Sequence, residues 1–327
     1  MTNVYLSKNI EKILKNIDYS KLGNNVAIKV HFGEMGCNTY IDPKLVRKIY
    51  QKIESLDKKA TLVECNVLYK GSRTNRTDHI NTAISHGFTD MDIDILDGEK
   101  GEEFVEINGC KIGAGIKKYD SLIVLSHFKG HGMAGFGGAI KNVGMGLGSR
   151  AGKLHMHSQI KPQIIEKNCI GCGICTKNCN VNAIEIVNNI AKIDYDKCEG
   201  CAMCIAVCPH DAASVPWDSS TNDYLQEKIS EYTNAVLSLF PNAVFINILQ
   251  KITEQCDCMG AKQKPMMDDV GIVSSTNIVA TDKASLDLAN KFSKNKFDHI
   301  NDVNKENQLK FASKLGLGES DYNLVEI

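Results

Sequence analysis

The sequence predicts an α/β fold: a parallel or mixed sheet domain written in two sequence halves, with a small cysteine-rich α+β segment inserted between them. Three observations carry this reading. Short β-branched runs alternate with helical patterns through the first 160 residues, and the same alternation resumes after residue 217. Between the two lie eight cysteines within forty residues.

In chain order, VYLS, VAIKVHF (26–32), TLVEC (61–65), IDIL (93–96) and SLIVLSHF (121–128) have strand length and strand composition. Helical patterns fall between them at 10–17, at 43–53 after the cap candidate Asp42, and at 78–86 before Gly87. After the cysteines, a helix is expected over 223–239, stopped by Pro241. VFINIL (244–249) and GIVSSTNIVA (271–280) follow as buried strands, then helices at 283–292 and 305–314. The implied division is 1–160 and 217–327 for the α/β domain and 161–216 for the insert. The polar stretch before Cys169, and Val215-Pro216, serve as joints, since insertions succeed at exposed loops.

Composition narrows the function classes. A chain of 327 residues with 43% hydrophobic content can bury a large core, and a net charge of −1 gives no footprint for nucleic acid or an anionic membrane. No apolar run reaches membrane-span length, and MTNVYLSKNIEKILK lacks a signal-peptide apolar core, so a cytoplasmic location is expected. Thirteen cysteines in such a protein favour metal or redox work over disulfides.

The cysteines of the insert write one spacing twice. Cys169, Cys172, Cys175 and Cys179 form C-x2-C-x2-C-x3-C, and Cys198, Cys201, Cys204 and Cys208 repeat it, followed by Pro209. That pattern wraps three thiolates around one cubane while the fourth reaches across to the other cluster. Two [4Fe-4S] clusters are therefore expected. One is held by Cys169, Cys172, Cys175 and Cys208, the other by Cys198, Cys201, Cys204 and Cys179. Gly171, Gly173 and Gly200 suit loops that pass close to inorganic sulfide. Zinc sites and a disulfide framework are the alternatives; zinc pairs usually carry longer spacers, and nothing suggests secretion. The run resembles the bacterial two-cluster ferredoxins over about 164–215, with Asn180 where that family has proline after Cys179. Low-potential clusters of this kind imply an anaerobic or well-reduced cell.

The segment from His127 to His157 holds nine glycines, four histidines and four basic residues directly after an apolar strand. Open α/β sheets place ligands beyond strand carboxyl ends, and a glycine-rich loop, with Gly137 and Gly138 at its centre, can form backbone nests for anions. Lys129, Lys141, Arg150 and Lys153 suit phosphate or carboxylate, with His127, His131, His155 and His157 bracketing the glycines. The segment has no Walker A lysine; a flexible loop with incidental histidines is the bland alternative. Cys256-Asp257-Cys258 follows the strand ending at Leu249. Such a pair can ligate a metal or an additional cluster, act as a redox dithiol, or be structural. Cys37 and Cys65 are candidates to complete a third metal site there, whereas Cys110 reads as structural. His31, Glu34, Asn66, Tyr69 and Arg73 gather at neighbouring strand ends; His79 and His86 read as surface or packing residues.

HFGE (31–34), VECN (63–66), Tyr69 to Arg73, HFKGH, GFGGAIKN and CDCMG together resemble the uncharacterised iron-sulfur centre proteins, domain of unknown function 362. The stretch from His127 to Lys141 is similar to a segment of the nickel-pincer lactate racemases. That likeness implies an acid/base role for His131, a cofactor-contacting role for Lys141, and His155 or His157 as a metal ligand. Racemases lack clusters, so a shared fold with altered chemistry is the expectation.

Together these readings give an iron-sulfur oxidoreductase that takes electrons from a redox carrier protein and passes them to a small anionic substrate or cofactor in the α/β domain. A ferredoxin-like electron-transfer protein and a metal or cofactor maturation protein are the rivals. The oligomeric state is left open, a homo-oligomer included.

Overall fold

The computed structural model describes residues 1–158, 161–216 and 221–327. Eight strands form one mixed sheet, in the order Tyr322–Glu326, Thr2–Ser7, Gly271–Ser275, Val244–Leu249, Ser121–His127, Asn25–Lys29, Lys59–Glu64 and Ile93–Ile95. The last five are mutually parallel, so their carboxyl ends share one edge of the sheet. Gly271–Ser275 runs antiparallel to both neighbours, which makes the sheet mixed. Strands from before and after the insert are thus adjacent, with Val244–Leu249 hydrogen-bonded to Ser121–His127.

Ser121–His127 is buried along its whole length. Alternate side chains feed opposite faces, as the strand period of two requires. Leu122 and Val124 join one apolar cluster with helices Ala139–Leu147, Asn222–Leu237, Ile278–Phe292 and Glu306–Lys314. Ile123 and Leu125 join the other, with Ile10–Lys15 and Pro43–Glu54. The sheet is therefore sandwiched between two helical layers. Among the described residues no helix is long and apolar enough to cross a membrane.

Several boundaries differ from the sequence reading, each for a local reason. The strand read as 271–280 stops at Ser275, because the Asn277 side chain accepts from Ala280 N at 3.0 Å and starts a helix at Ile278. VAIKVHF is strand only through Lys29. Asp42 caps its helix as expected, accepting from Lys44 N at 2.9 Å ahead of Pro43. The expected domain edges touch residues 159–160 and 217–220, which lie outside the described residues.

The glycine-rich segment is not a loop. It forms a two-stranded hairpin, Lys129–His131 with Gly135–Gly137, and then helices Ala139–Leu147 and Arg150–His157. Its glycines serve packing: a Cβ at Gly144 would stand 2.2 Å from the Ile229 carbonyl of the neighbouring helix. The first helix begins on the carboxylate of Asp282, which accepts from Ala139 N at 2.7 Å, Ile140 N at 2.9 Å and Asn247 Nδ2 at 2.7 Å. That helix N-terminus is already occupied by a buried acid from the other sequence half, so the backbone nest expected for an external anion is filled.

The insert closes on itself through Gln163–Ile164 paired with Ala213–Ser214, which sets its entry and exit side by side. Inside lie the hairpin Ile184–Val187 with Ile190–Ile193 and two short helices, Ile174–Lys177 and Met203–Val207.

Replacing Asp282 by alanine strands three buried donors from both sequence halves. The expected loss is at least about 3 kcal/mol, read as a lower urea midpoint; an unchanged midpoint would show that the two halves do not depend on this junction.

Candidate functional site

A cavity of about 370 Å³ opens at the carboxyl ends of the parallel strands. Its polar wall begins with charges placed inside apolar strands. Lys29 and Glu64, at the ends of adjacent strands, form a buried ion pair, and Lys29 Nζ also donates to Asn142 Oδ1 at 2.7 Å. Arg73 lies 3.4 Å from Glu64 and 3.2 Å from Glu34, and donates to Tyr69 Oη at 2.7 Å. Burial opposes ionisation of Glu64, yet Lys29 and then His79 and His31 hold it well below the usual carboxylate range. His31 is held far below the ordinary histidine range by burial first and Arg73 second. These residues form a satisfied network rather than a titrating pair. His79, expected at the surface or in packing, is wholly buried 3.7 Å from Glu64, while His86 bonds the Phe32 carbonyl at 2.8 Å.

The opposite wall is set by Asp257. Its carboxylate meets His127 Nδ1 at 2.7 Å, Lys129 Nζ at 3.1 Å and Thr39 Oγ1 at 2.9 Å. Burial pushes this acid up, but His127 and Lys129 outweigh it and hold it well below the usual range. His127 Nε2 faces the Gln250 carbonyl at 2.9 Å. Both its ring nitrogens therefore face acceptors, so His127, which also lines the cavity, anchors the 256–258 loop. Lys129 lines the cavity while paired to Asp257.

Held this way, the loop brings Cys256 and Cys258 to His131, with potential ligand atoms all within 4.8 Å of one another. Cys256 Sγ accepts from Cys258 N at 3.4 Å and lies 3.9 Å from Lys141 Nζ. A hydrogen bond from the Cys258 thiol, then Lys141 and Lys129, hold the Cys256 thiol well below its ordinary range against burial; the same side-chain pairing raises Cys258. Cys37 and Cys65 do not join this group: Cys37 sits 3.8 Å from Asp257, and Cys65 points at the Leu147 carbonyl.

His131 accepts backbone N–H groups at Nδ1, from Ala134 at 3.0 Å and Met133 at 3.3 Å. The proton of the neutral ring therefore sits on Nε2. Burial, then Lys141, keep the ring neutral, far below the ordinary histidine range. In this arrangement Nδ1 of His131 is engaged by the backbone and Nε2 is the nitrogen left to carry an N–H donor.

Lys141, Lys153, Gly137, Gly138 and His157 line the cavity as the sequence suggested. Lys141 Nζ faces Cys256 Sγ at 3.9 Å and Lys153 Nζ donates to the Gly148 carbonyl at 2.6 Å; both line the cavity with their charge. Burial and these two lysines push His157 down to about 3. Arg150 is elsewhere. Its guanidinium is spent on the Thr74 and Lys100 carbonyls, outside the cavity. His155 bonds Tyr232 Oη at 3.0 Å and is likewise outside.

The insert draws cysteines of both runs together. Cys169, Cys172, Cys175 and Cys208 line one small cavity, the crossover set read from the spacing. Cys201 lies in the field of Cys179 and Cys198. The two runs fold as repeats. Gly171 and Gly200 both take positive φ, as do Gly173 and Ala202. Ala183 N and Ala212 N donate to Cys179 and Cys208 Sγ at 3.2 and 3.3 Å. Asn182 and Asp211 close the following turns with matching left-handed φ, so Asn180 in place of proline leaves the turn intact.

Sequence reasoning passed over Asp257, Lys29, Glu64 and Asn142. A charge in the middle of each apolar run VAIKVHF and TLVEC was the available signal. Asp257→Ala leaves buried Lys129 without its counter-ion, an expected loss of about 3–5 kcal/mol. A lower urea midpoint together with faster alkylation of Cys256 would bear this out; a loop as protected as wild type would contradict it.

The DUF362 family model, described as a domain of unknown function, matches residues 26–287. Shorter matches join the chain to curated redox proteins. One is a component of the ion-translocating oxidoreductase complex of Methanosarcina acetivorans, 43% identical over 49 residues, 15% of this chain and 19% of that one. A provisionally named iron-sulfur component of the dimethyl sulfoxide reductase of Halobacterium salinarum is 49% identical over 45 residues, 14% and 17% of the two chains. A component of the selenate reductase of Mesobacillus selenatarsenatis is 46% identical over 44 residues, 13% and 15%. The chain spans less than a fifth of the length of each of these relatives. The lactate racemase apoprotein of Thermoanaerobacterium thermosaccharolyticum aligns over 76% of this chain and 50% of its own, at 12% identity and a TM-score of 0.35, too distant for any transfer of residue roles. With the family model spanning most of its length, the chain belongs to the DUF362 family.

Proposed function

We propose that this protein is an iron-sulfur oxidoreductase in which the 161–216 module receives electrons from a carrier and the α/β cavity holds an anionic substrate. The matched redox proteins, one of them named for its iron-sulfur content, support the iron-sulfur part of this reading. So do the two cysteine cradles. When bound, two [4Fe-4S] clusters would supply one-electron storage, with Cys169, Cys172, Cys175 and Cys208 holding one and Cys198, Cys201, Cys204 and Cys179 the other.

One observation carries the coupling of module to cavity. Leu68 and Leu154 of the α/β part pack directly on Ala202 and Val215 of the module in one apolar cluster. Leu68 also lines the cavity, Lys153 of its wall adjoins Leu154, and Ala202 adjoins Cys201. The second cysteine run therefore stands one layer of side chains from the cavity. Lys111 Nζ donates to the Glu199 carbonyl at 3.3 Å across the same seam.

The chain's own groups then have separable tasks. Lys141 and Lys153 attract and orient an anion, worth more in this apolar enclosure than in water. His131 donates from Nε2 to a substrate oxygen or sulfur. Met133, Met145 and Leu68 supply apolar wall and exclude water. A built, cationic cavity of this size favours an enzyme over a protein that only docks redox partners.

Anaerobically prepared protein is expected to hold about eight irons and eight sulfides per chain. Cys172→Ser and Cys201→Ser should each remove a different one of two reduced-state EPR signals. Zinc in the insert, or cystine bridges among its eight cysteines, would end this reading.

A further inference from the structure

We propose that Cys256 and Cys258 form a dithiol–disulfide redox couple in the cavity wall, oxidised by an anionic disulfide that enters beside Lys141 and Lys153. The inference rests on the proposed function only for its electron source; the couple itself stands on geometry.

The two sulfurs lie within 4.8 Å of each other on one rigid loop. Cys256 to Met259 form a turn, with Met259 N donating to the Cys256 carbonyl at 3.0 Å, which draws the two side chains together so that their rotation can close the bond. Asp257, between them, is tied to three partners from other segments, which fixes the backbone while leaving both sulfurs unbridged. The sulfurs are not equivalent. Cys258 lines the cavity and is partly exposed, whereas Cys256 is 3% exposed behind it. This is the arrangement of an attacking thiol backed by a resolving one. Cys256 has the Cys258 N–H and the Lys141 ammonium as donors, and the Nε2–H of His131 faces the pair. A metal would require a lone pair from His131, and the ring spends its lone pair on Ala134 N–H.

The chemistry balances as exchange. Cys258 Sγ passes its proton to the Cys256 thiolate beside it and attacks one sulfur of the incoming disulfide, forming a mixed disulfide and releasing one thiolate, which takes a proton from solvent. Cys256 attacks Cys258 Sγ, closes the internal bond and expels the second thiolate. The one proton of the cysteine pair and one from solvent leave with the two thiol products. Two electrons and two protons then reopen the bond, the electrons coming singly from two equivalents of a reduced low-potential carrier. Lys141 Nζ, 3.9 Å from Cys256 Sγ, is placed to hand on a proton.

The test uses full-length, cluster-loaded protein under anaerobic conditions, with oxidised glutathione as the probe disulfide. After alkylation and trypsin cleavage, Cys256 and Cys258 fall on one peptide, residues 252–262, free of other cysteines. Protein reduced by dithionite should yield this peptide doubly alkylated. Protein treated with oxidised glutathione should yield it unalkylated and lighter by two hydrogens. Double alkylation in both states overturns the proposal. So does a non-iron metal bound one per chain and lost in Cys258→Ser. Iron and sulfide counted on the same samples separate the two readings: thiols that pair in protein without clusters defeat only the electron route, and intact clusters beside thiols that never pair defeat only the couple.

Discussion

The buried carboxylate of Asp257 is the constraint on which the cavity depends. It comes from the loop after Val244–Leu249 and is met by His127 and Lys129 from the neighbouring strand end and by Thr39 from a third segment. A lone buried acid would be costly, but three donors, two of them on basic side chains, reverse the balance. The result is a loop with no freedom to retract its cysteines. Asp282 plays the matching role on the other side of helix Ala139–Leu147, where it occupies the helix start that would otherwise attract an anion. Positive charge for a ligand therefore comes from side chains, Lys141 and Lys153, rather than from the backbone.

The second organising contact is the apolar seam between the insert and the α/β part. Leu68 and Leu154 meet Ala202 and Val215, and the exposed Lys70–Asp211 pair at 3.3 Å adds little to such a contact. Its importance is positional. It sets the second cysteine run, rather than the first, against the cavity, and Arg150 lies within the field of Cys201. In the first run Cys172 is exposed.

Much of this was legible in the sequence, and the exceptions share a cause. The α/β alternation, its resumption after the insert and the nearness of Cys208 to Cys169, Cys172 and Cys175 came from periodicity and spacing, which are local properties. The glycine-rich segment misled because glycine serves both loops and tight helix packing; only the Ile229 carbonyl beneath Gly144 distinguishes them. His127 and Arg150 carried ligand-binding side chains in a suggestive place, yet each is engaged by distant groups, Asp257 and the Thr74 carbonyl. Asp257 itself was hidden between two cysteines that drew the attention. Partners set by long-range packing leave no periodic trace in the chain.

The central claim is that cluster cradles and a reducible cysteine pair share one polypeptide and one seam. Counting electrons in an anaerobic reductive titration tests it most directly. Wild-type protein, fully oxidised, should take up about four electrons per chain, one for each cubane and two for the Cys256–Cys258 bond, and Cys258→Ser should take up about two. Equal uptake by the two proteins would contradict the account.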